Sequence, residues 1–238
     1  MKLNFKLIIG IIYLVCLSAL LFYVFSNFDI RDLTSLTYIR QNSKYLVEFK
    51  DNNIIFFIIV FFIFSIIWVL LLGFGTPIAM ASGFIFGKWF GTLISVLSLT
   101  IGCALLYILA NYYFSDLIKK KLTDKIFKYK NLFNKNEFFY FMIFRFTGGG
   151  GIPFAIQNIL PVIFNMKIKN YIYSTFLGII PALFILNSLG AGIESIIGQK
   201  EDLNLIKIIS NQEIYIPILG FIFLLITSFL LRKKFFKK

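Results

Sequence analysis

Apolar runs long enough to cross a membrane dominate the chain, and most charged residues lie between them. A transmembrane helix needs roughly 20 predominantly apolar residues. Four uncharged runs have about that length: 7–28, 89–115, 170–193 and 214–231. This pattern predicts an all-α integral membrane protein with about four transmembrane helices, and it leaves no segment for a soluble globular domain.

Two further runs, 52–87 and 138–166, do not fit one span each. A single helix over 52–87 would be about 54 Å long, whereas the hydrocarbon core of a bilayer is about 30 Å thick. Glycine and proline interrupt the first run at Gly73–Pro77 and the second at Gly148–Pro153. Because the resulting arms are too short to span comfortably, the sequence predicts two re-entrant helical hairpins.

The charged segments predict which side of the membrane each loop faces. Segment 116–137 carries seven lysines against three acidic residues, and the tail 232–238 carries five basic residues. Segment 26–53 is neutral, and segment 194–213 is acidic overall. Because basic loops stay cytoplasmic, we expect segment 116–137 and both termini on the inside. Each hairpin must then return to the face from which it entered.

Outside the hairpins, the run 7–28 is longer than the apolar core of a signal peptide, and no small-residue cleavage site follows it. We therefore interpret it as a retained anchor helix. Segment 119–135 interleaves lysines with apolar side chains, which fits either an amphipathic helix on the inner leaflet or a solvated basic linker. The predicted organisation is an anchor helix with an external loop (1–53), a domain with both hairpins (54–195), and a C-terminal helix with a basic tail (196–238).

The two hairpins share a sequence pattern. Gly75-Thr76-Pro77-Ile78-Ala79 parallels Gly151-Ile152-Pro153-Phe154-Ala155, and a short apolar arm, a lysine-containing break and a full span follow each. One hairpin opens from outside and the other from inside, so the pattern predicts an inverted repeat, a transporter architecture in which the broken segments meet near the midplane. Small residues every four positions, over Ala79–Gly91 and Ser174–Ala182, indicate close helix packing.

Composition narrows the chemistry. The chain is 59% hydrophobic with a net charge of +13, and in a membrane protein basic residues set orientation and meet anionic headgroups, so nucleic-acid binding is not expected. There is no histidine, and Cys16 and Cys103 form no paired motif, so neither a metal nor another cofactor is expected. Without a nucleophile–base pair or a nucleotide loop, an enzyme is not expected.

Arg145 is the one charged residue inside a hairpin run, and an arginine in hydrocarbon is costly unless it has a partner or a wet cavity. A glycine run can turn successive N–H groups toward one anion, and nearby amide side chains add further donors. We therefore predict a site for a phosphate headgroup. Its residues are Arg145, Gly149, Gly150, Gly151, Pro153, Gln157, Asn158 and, from the first hairpin, Pro77. Alternatively, Arg145 extends to the inner interface and the glycines only form a turn.

Two sets of motifs resemble the VTT domain of the DedA superfamily, also called SNARE-associated Golgi proteins. The first set is Thr76–Gly87, Gly91 and Gly102-Cys103-Ala104; the second is Phe144-Arg145-Phe146, Gly151–Phe154, Gln157-Asn158, Thr175–Gly178 and Pro181. The resemblance covers about residues 54–195 and implies two facing hairpins, lipid scrambling or flipping, and the family arginine at Arg145. Many members carry an acidic residue in the first hairpin, where this chain has Gly73-Phe74-Gly75, so passive movement is favoured over proton coupling.

The leading hypothesis is a scramblase or flippase that serves membrane and envelope homeostasis. Its partners would be membrane phospholipids or polyprenyl-phosphate lipids, in the plasma membrane of a bacterium. An ion or small-solute secondary transporter is one alternative, and a non-transporting membrane scaffold is another. The sequence leaves the oligomeric state open, a homo-oligomer included.

Overall fold

The computed structural model describes residues 53–121, 133–198 and 212–236, together with four isolated positions between 15 and 26. Apart from those positions, the predicted anchor helix lies outside the described residues, as do most of segment 119–135 and all of segment 199–211, which is predicted to be external. The chain divides into two compact parts, Met1–Ile54 and Ile55–Lys238, and almost all described residues belong to the second part.

Every regular element in the described ranges is a helix, which confirms the all-helical prediction. The helices are α1 (Ile54–Leu70), α2 (Gly75–Lys121), α3 (Glu137–Phe146), α4 (Phe154–Ile163), α5 (Ile168–Gly198) and α6 (Gln212–Phe236), with a 3₁₀ turn at Gly148–Gly151 between α3 and α4. Helix α5 packs against α2, α3 and α6, and α4 packs against α2. The Gly148–Gly151 segment is called the glycine turn below.

The helices are interrupted where glycine and proline predicted the breaks. In the first hairpin, Leu72 between α1 and α2 has a positive φ of 62°. In the second, the glycine turn separates α3 from α4. The second arm of each hairpin also ends in a break, because Gly87 has a φ of 78° inside α2 and Asn165, just after α4, has a φ of 53°. Each hairpin together with the long helix after it forms one unit of the repeat, and both units follow the same order of arm, turn, arm, break and long helix.

Packing in the two units corresponds when the chain is shifted by 76 positions, which aligns Gly75 with Gly151. Buried residues recur on the first arms at aligned positions: Phe61, Ser65 and Val69 on α1, and Glu137, Phe141 and Arg145 on α3. A Cβ on Gly102 would lie 2.9 Å from Cβ of Val69, and a Cβ on the aligned Gly178 would lie 2.6 Å from Cβ of Arg145. The same glycine contact thus packs the first arm on the long helix in both units, and Val69 and Arg145 are equivalent.

The two hairpins contact each other at their turns. Gly75 is buried at the start of α2, and a Cβ there would lie 3.6 Å from side-chain atoms of both Leu99 and Phe154. Phe154 is the first residue of α4. The turn of the first hairpin therefore packs against the second arm of the other, as a meeting of the two broken segments requires.

Exposed faces are apolar, and many polar side chains lie inside. Along α2 an exposed stripe covers about six turns and comprises Trp89, Phe90, Leu93, Leu97, Ile101, Leu105, Ile108 and Tyr112. The buried polar residues of α2 are Ser82, Thr92, Ser95, Ser98 and Thr100. A water-soluble surface needs the opposite distribution. Two described helical stretches, Gly75–Tyr113 and Ile168–Ser195, are long and apolar enough to cross a membrane.

Candidate functional site

Arg145 lies in the last turn of α3, and its guanidinium is enclosed by protein. Only 2% of the residue is exposed. Nη1 donates a hydrogen bond to Oε1 of Gln157 at 3.1 Å. Nη2 donates to the hydroxyl of Tyr171 at 3.1 Å and to Oδ1 of Asn158. Residues of both α4 and α5 therefore fix the position of the guanidinium.

The acceptors around Arg145 are all neutral oxygens, so none of them compensates its charge. In addition, Nε of Arg145 and Nδ2 of Asn158 are buried and have no hydrogen-bond partner. Leaving a buried donor unpaired costs about 1–3 kcal/mol, and more for a charged group. The site therefore carries one positive charge and two unused donors, an arrangement that suits an anionic oxygen.

Three aromatic rings line other sides of the guanidinium. Cζ of Arg145 lies 5.1 Å from the ring centroid of Phe141, 5.4 Å from that of Phe154 and 5.9 Å from that of Tyr171. Each such cation–π contact contributes about 0.5–2 kcal/mol. Because the rings exclude water without supplying a counter-charge, the positive charge acts strongly on whatever enters the cluster.

The local sequence explains why these groups converge. Phe141 and Arg145 are four residues apart on α3, so they project from one helix face. Gly178 of α5 has no side chain where Arg145 passes, which lets the two helices approach. Pro153 immediately precedes α4, where its missing N–H interrupts no helical hydrogen bond, and the two amide residues follow one turn later. We call Arg145, Gln157, Asn158 and Tyr171 the Arg145 cluster.

The glycine turn packs around the side chain of Gln157. Gly148, Gly149 and Gly151 have φ values of 66°, 73° and 84°, a region that residues with a Cβ rarely adopt. A Cβ on Gly149 would overlap the Gln157 amide. Nε2 of Gln157 donates to the carbonyls of Gly148 at 3.2 Å and Ile152 at 2.7 Å. Gln157 thus connects Arg145 to the turn, while the proposed N–H nest of the glycines stays a prediction.

The predicted site residues fall into two groups. Arg145, Gly149, Gln157 and Asn158 are buried together. Gly150 and the exposed Gly151 lie within the glycine turn, Pro153 is exposed just after it, and Pro77 is exposed in the first turn of α2. The first hairpin reaches the Arg145 cluster through the contact of Gly75 with Phe154, rather than through a buried Pro77 side chain.

Sequence reasoning missed Tyr171, which is fully buried on α5 and connects that helix to α2, α3 and α4. Its hydroxyl lies 3.2 Å from Oδ1 of Asn158 and 3.3 Å from the carbonyl of Cys103, and its ring stacks on that of Tyr107 at 4.7 Å. The hydroxyl of Tyr107 in turn donates to the carbonyl of Met166 at 2.6 Å. A tyrosine in an apolar run gives no signal of its own, because its role depends on partners distant in sequence.

A second buried polar cluster lies where α2 and α5 meet. Asn187 of α5 is fully buried; its Nδ2 donates to Oγ of Ser95 at 3.0 Å, and its Oδ1 has no partner. Nearby, Oγ of Ser82 donates to the carbonyl of Gly91 at 2.9 Å, across the break at Gly87. A Cβ on Gly91 would lie 2.6 Å from Oδ1 of Asn187, so these elements are in close contact. An asparagine inside an apolar run is a sequence signal similar to that of Arg145.

Glu137 joins the two ends of the second hairpin. Its Oε1 accepts hydrogen bonds from the N–H of Lys167 at 3.1 Å and from Nδ2 of Asn170 at 2.6 Å. Both partners lie at the start of α5, where a negative charge is favourable because helix N–H groups point outward. The carboxylate therefore fixes the start of α3 to the start of α5.

Comparison with known proteins places this architecture in a family. The sequence profile of the VTT domain matches residues 74–192, half of the chain, and this stretch holds the whole Arg145 cluster. The chain belongs to the VTT-domain family. This VTT-domain protein is similar to the Transmembrane protein 41 homolog of Dictyostelium discoideum, with 26% identity over 161 residues that cover 65% of this chain and 47% of the relative. It thus spans about half the length of that curated relative. No solved structure matches it.

The family assignment confirms the resemblance seen in the motifs. Together with the long apolar helices, it identifies this VTT-domain protein as a membrane protein.

Proposed function

We propose that this VTT-domain protein moves lipids between the leaflets of its membrane, as a scramblase or flippase, and that Arg145 engages the headgroup phosphate. The observation that carries the proposal is a buried guanidinium held by neutral oxygens, with its Nε unpartnered. Phosphate oxygens are strong acceptors whose geometry matches a guanidinium. Phosphate is also the group that most membrane lipids share.

The proposed pathway needs two hairpins that enter from opposite faces and return. Helix α1 has 17 residues, and α3 and α4 have 10 each. Their rise of about 25 Å and about 15 Å is less than the roughly 30 Å of the hydrocarbon core. The repeated order of elements and the contact of Gly75 with Phe154 support re-entrant hairpins that meet within the membrane. About four full spans would complete the fold.

In this arrangement the headgroup crosses through protein while the acyl chains stay in lipid. The interior supplies hydroxyl and amide groups, and the exposed faces of α1 and α2 present isoleucine, leucine and phenylalanine. Because Arg145 is buried, a neighbouring segment has to move before a headgroup can reach it, and in this proposal the glycine turn moves away from α4. The backbone of a glycine turn allows such a change, at the expense of the two hydrogen bonds from Gln157 to the turn.

Passive movement fits the charged residues of the hairpins. Proton-coupled carriers use a carboxylate or histidine at membrane depth. Neither hairpin run contains an acidic residue, and Glu137 at the edge of the second is bonded to the start of α5. The basic segments would keep both termini in the cytoplasm, in the plasma membrane of a bacterium.

Leaflet exchange in vesicles tests the proposal. Purified full-length protein is reconstituted with trace phospholipid carrying an acyl-chain fluorophore, and dithionite reports how fast inner-leaflet label reaches the outside. We expect wild-type protein to accelerate exchange and Arg145→Gln to slow it at least about tenfold, since about 1.4 kcal/mol of lost stabilisation has that effect. Lys88→Gln removes one positive charge from an exposed residue and is expected to behave as wild type. Folded wild-type protein that exchanges label no faster than protein-free vesicles would overturn the proposal.

A further inference from the structure

The balance of charge in the Arg145 cluster bears on which headgroups it can accept. The cluster contains one guanidinium, two amides and a phenol, and therefore has a net charge of +1. Glu137 is on the same helix, but it lies eight residues earlier, about 12 Å along the axis, and its carboxylate is bonded at the start of α5. No carboxylate in the described residues hydrogen-bonds to the cluster.

The first unit has no charged side chain at the positions equivalent to three residues of the cluster. Val69, Ser82 and Ser95 occupy the positions equivalent to Arg145, Asn158 and Tyr171, and all three are fully buried. These side chains carry no charge, so they can form an ion pair with neither an ammonium group nor a second phosphate. The repeat therefore preserves the helix packing of the site without preserving its chemistry.

Headgroups differ in what they would bring to such a site. An amine-free headgroup such as phosphatidylglycerol brings one negative charge, which neutralises Arg145, and hydroxyl groups that amides can bind. A zwitterionic headgroup such as phosphatidylethanolamine brings an ammonium as well, tethered a few bonds from the phosphate. That cation would lie near the guanidinium, with no carboxylate to pair with and with the rings of Phe141, Phe154 and Tyr171 already facing Arg145.

We infer that the Arg145 cluster selects amine-free anionic phosphate headgroups, of which phosphatidylglycerol is the model, over zwitterionic headgroups. The inference rests on the proposed function and adds the substrate class. Its physical basis is a buried +1 site with two unpartnered donors and, in the part of the chain that the structure describes, no acidic partner.

Asn158→Asp is a sharp test, because it changes charge with little change of shape. Oδ1 of Asn158 accepts from Arg145, whereas Nδ2 has no partner, so an oxygen in place of Nδ2 removes no hydrogen bond. The new carboxylate pairs with the guanidinium and brings the cluster to neutrality. Asn111→Asp makes the same chemical change at an exposed position of α2 and serves as the matched control.

The exchange assay is run in phosphatidylcholine vesicles with acyl-labelled phosphatidylglycerol or phosphatidylethanolamine as the probe. We expect wild-type protein and Asn111→Asp to exchange phosphatidylglycerol at least about tenfold faster than phosphatidylethanolamine, which corresponds to a difference of about 1.4 kcal/mol in barrier height. For Asn158→Asp the ratio of the two exchange rates should approach one. The temperature at which this variant unfolds in detergent should be no lower than that of wild type. Equal rates for the two lipids in wild type, or an unchanged ratio in folded Asn158→Asp, would overturn the inference and leave lipid movement itself intact.

A binding measurement separates this inference from the proposed function. Thermal unfolding of the micellar protein is followed with dihexanoyl-phosphatidylglycerol, dihexanoyl-phosphatidylethanolamine or glycerol 1-phosphate, since a ligand that binds the folded state raises its stability. Stabilisation of wild type by the phosphatidylglycerol probe alone, and no stabilisation of Arg145→Gln, would support the inference. This holds even if the vesicle assay shows no lipid exchange, because the lack of exchange would refute only the proposed function. Equal stabilisation by the ethanolamine lipid, or none by either lipid, overturns the selectivity. Equal stabilisation by glycerol 1-phosphate identifies a free organophosphate ligand and overturns the lipid assignment.

Discussion

The packing of α3 on α5 depends on the missing side chain of Gly178. A Cβ at this position would lie 2.6 Å from Cβ of Arg145 and 2.8 Å from the carbonyl oxygen of Met142. Both neighbours belong to the backbone or to the rigid base of a side chain, so Gly178→Ala forces the helices apart by several tenths of an ångström. Overpacking of this kind costs about 1–3 kcal/mol. The shift also moves the guanidinium, whose bonds to Gln157 and Tyr171 are already 3.1 Å long.

The internal repeat supplies a matched control for this substitution. Gly102→Ala places a Cβ 2.9 Å from Cβ of Val69, the residue equivalent to Arg145, and is expected to cost a similar free energy of unfolding. Gly220→Ala meets only Ile185, at 3.6 Å, which is ordinary van der Waals contact, so it should leave stability unchanged. The three variants make the same chemical change and differ in what the new methyl group contacts.

Unfolding in detergent and leaflet exchange at equal amounts of folded protein separate the two effects. We expect Gly178→Ala and Gly102→Ala to lose similar amounts of unfolding free energy. The lipid exchange rate should fall at least about tenfold for Gly178→Ala alone, which corresponds to a rise of about 1.4 kcal/mol in the exchange barrier. If folded Gly102→Ala loses as much exchange as folded Gly178→Ala, the position of Arg145 is not what limits lipid movement, and the reasoning fails.

Two further substitutions probe the polar contacts of the second hairpin. Tyr171→Phe keeps the ring that stacks on Tyr107 but removes the hydroxyl bonded to Arg145. We expect a loss of about 1–3 kcal/mol in the free energy of unfolding and slower lipid exchange. An unchanged free energy of unfolding would show that the hydroxyl is not an important partner of Arg145. Glu137→Gln keeps an acceptor but removes the charge at the start of α5, so we expect a loss of about 0.5–2 kcal/mol in detergent unfolding. Its phosphatidylglycerol preference in the exchange assay should match wild type, and an altered preference would contradict the exclusion of Glu137 from the charge balance.

Local signals in the sequence located the breaks in the fold. Glycine and proline mark the turns before α2 and α4. In the second turn three glycines have positive φ, whereas in the first the residue with positive φ is Leu72. The Gly-x-Pro motif also set the alignment of the two units, and the contacts of Gly102 and Gly178 agree with it. The all-helical class followed from run lengths alone, since a backbone in lipid must satisfy its own hydrogen bonds.

The candidate site was predictable only where its members are close in sequence. Gln157 and Asn158 lie 12 and 13 residues beyond Arg145, and all three are polar residues in one apolar run. Tyr171 and the Cys103 carbonyl belong to the same network but come from other helices, and no local pattern shows which of many buried aromatic or backbone groups will meet an arginine. That information lies in the packing of α2 on α5.

The two units differ in the kind of interaction that holds them, and this difference favours chemistry in the second one. Around Val69 the first arm is held by close apolar packing, which offers a headgroup no hydrogen bond. Around Arg145 it is held largely by hydrogen bonds, and each of these can be exchanged for a bond of similar strength to a phosphate or hydroxyl oxygen. Opening the first unit at Val69 would offer a headgroup mainly apolar side chains, whereas a phosphate that enters the second gives the guanidinium new acceptors and neutralises a buried charge. We therefore expect the net cost of admitting a headgroup to be lower on the side of Arg145, although both units have the same order of elements.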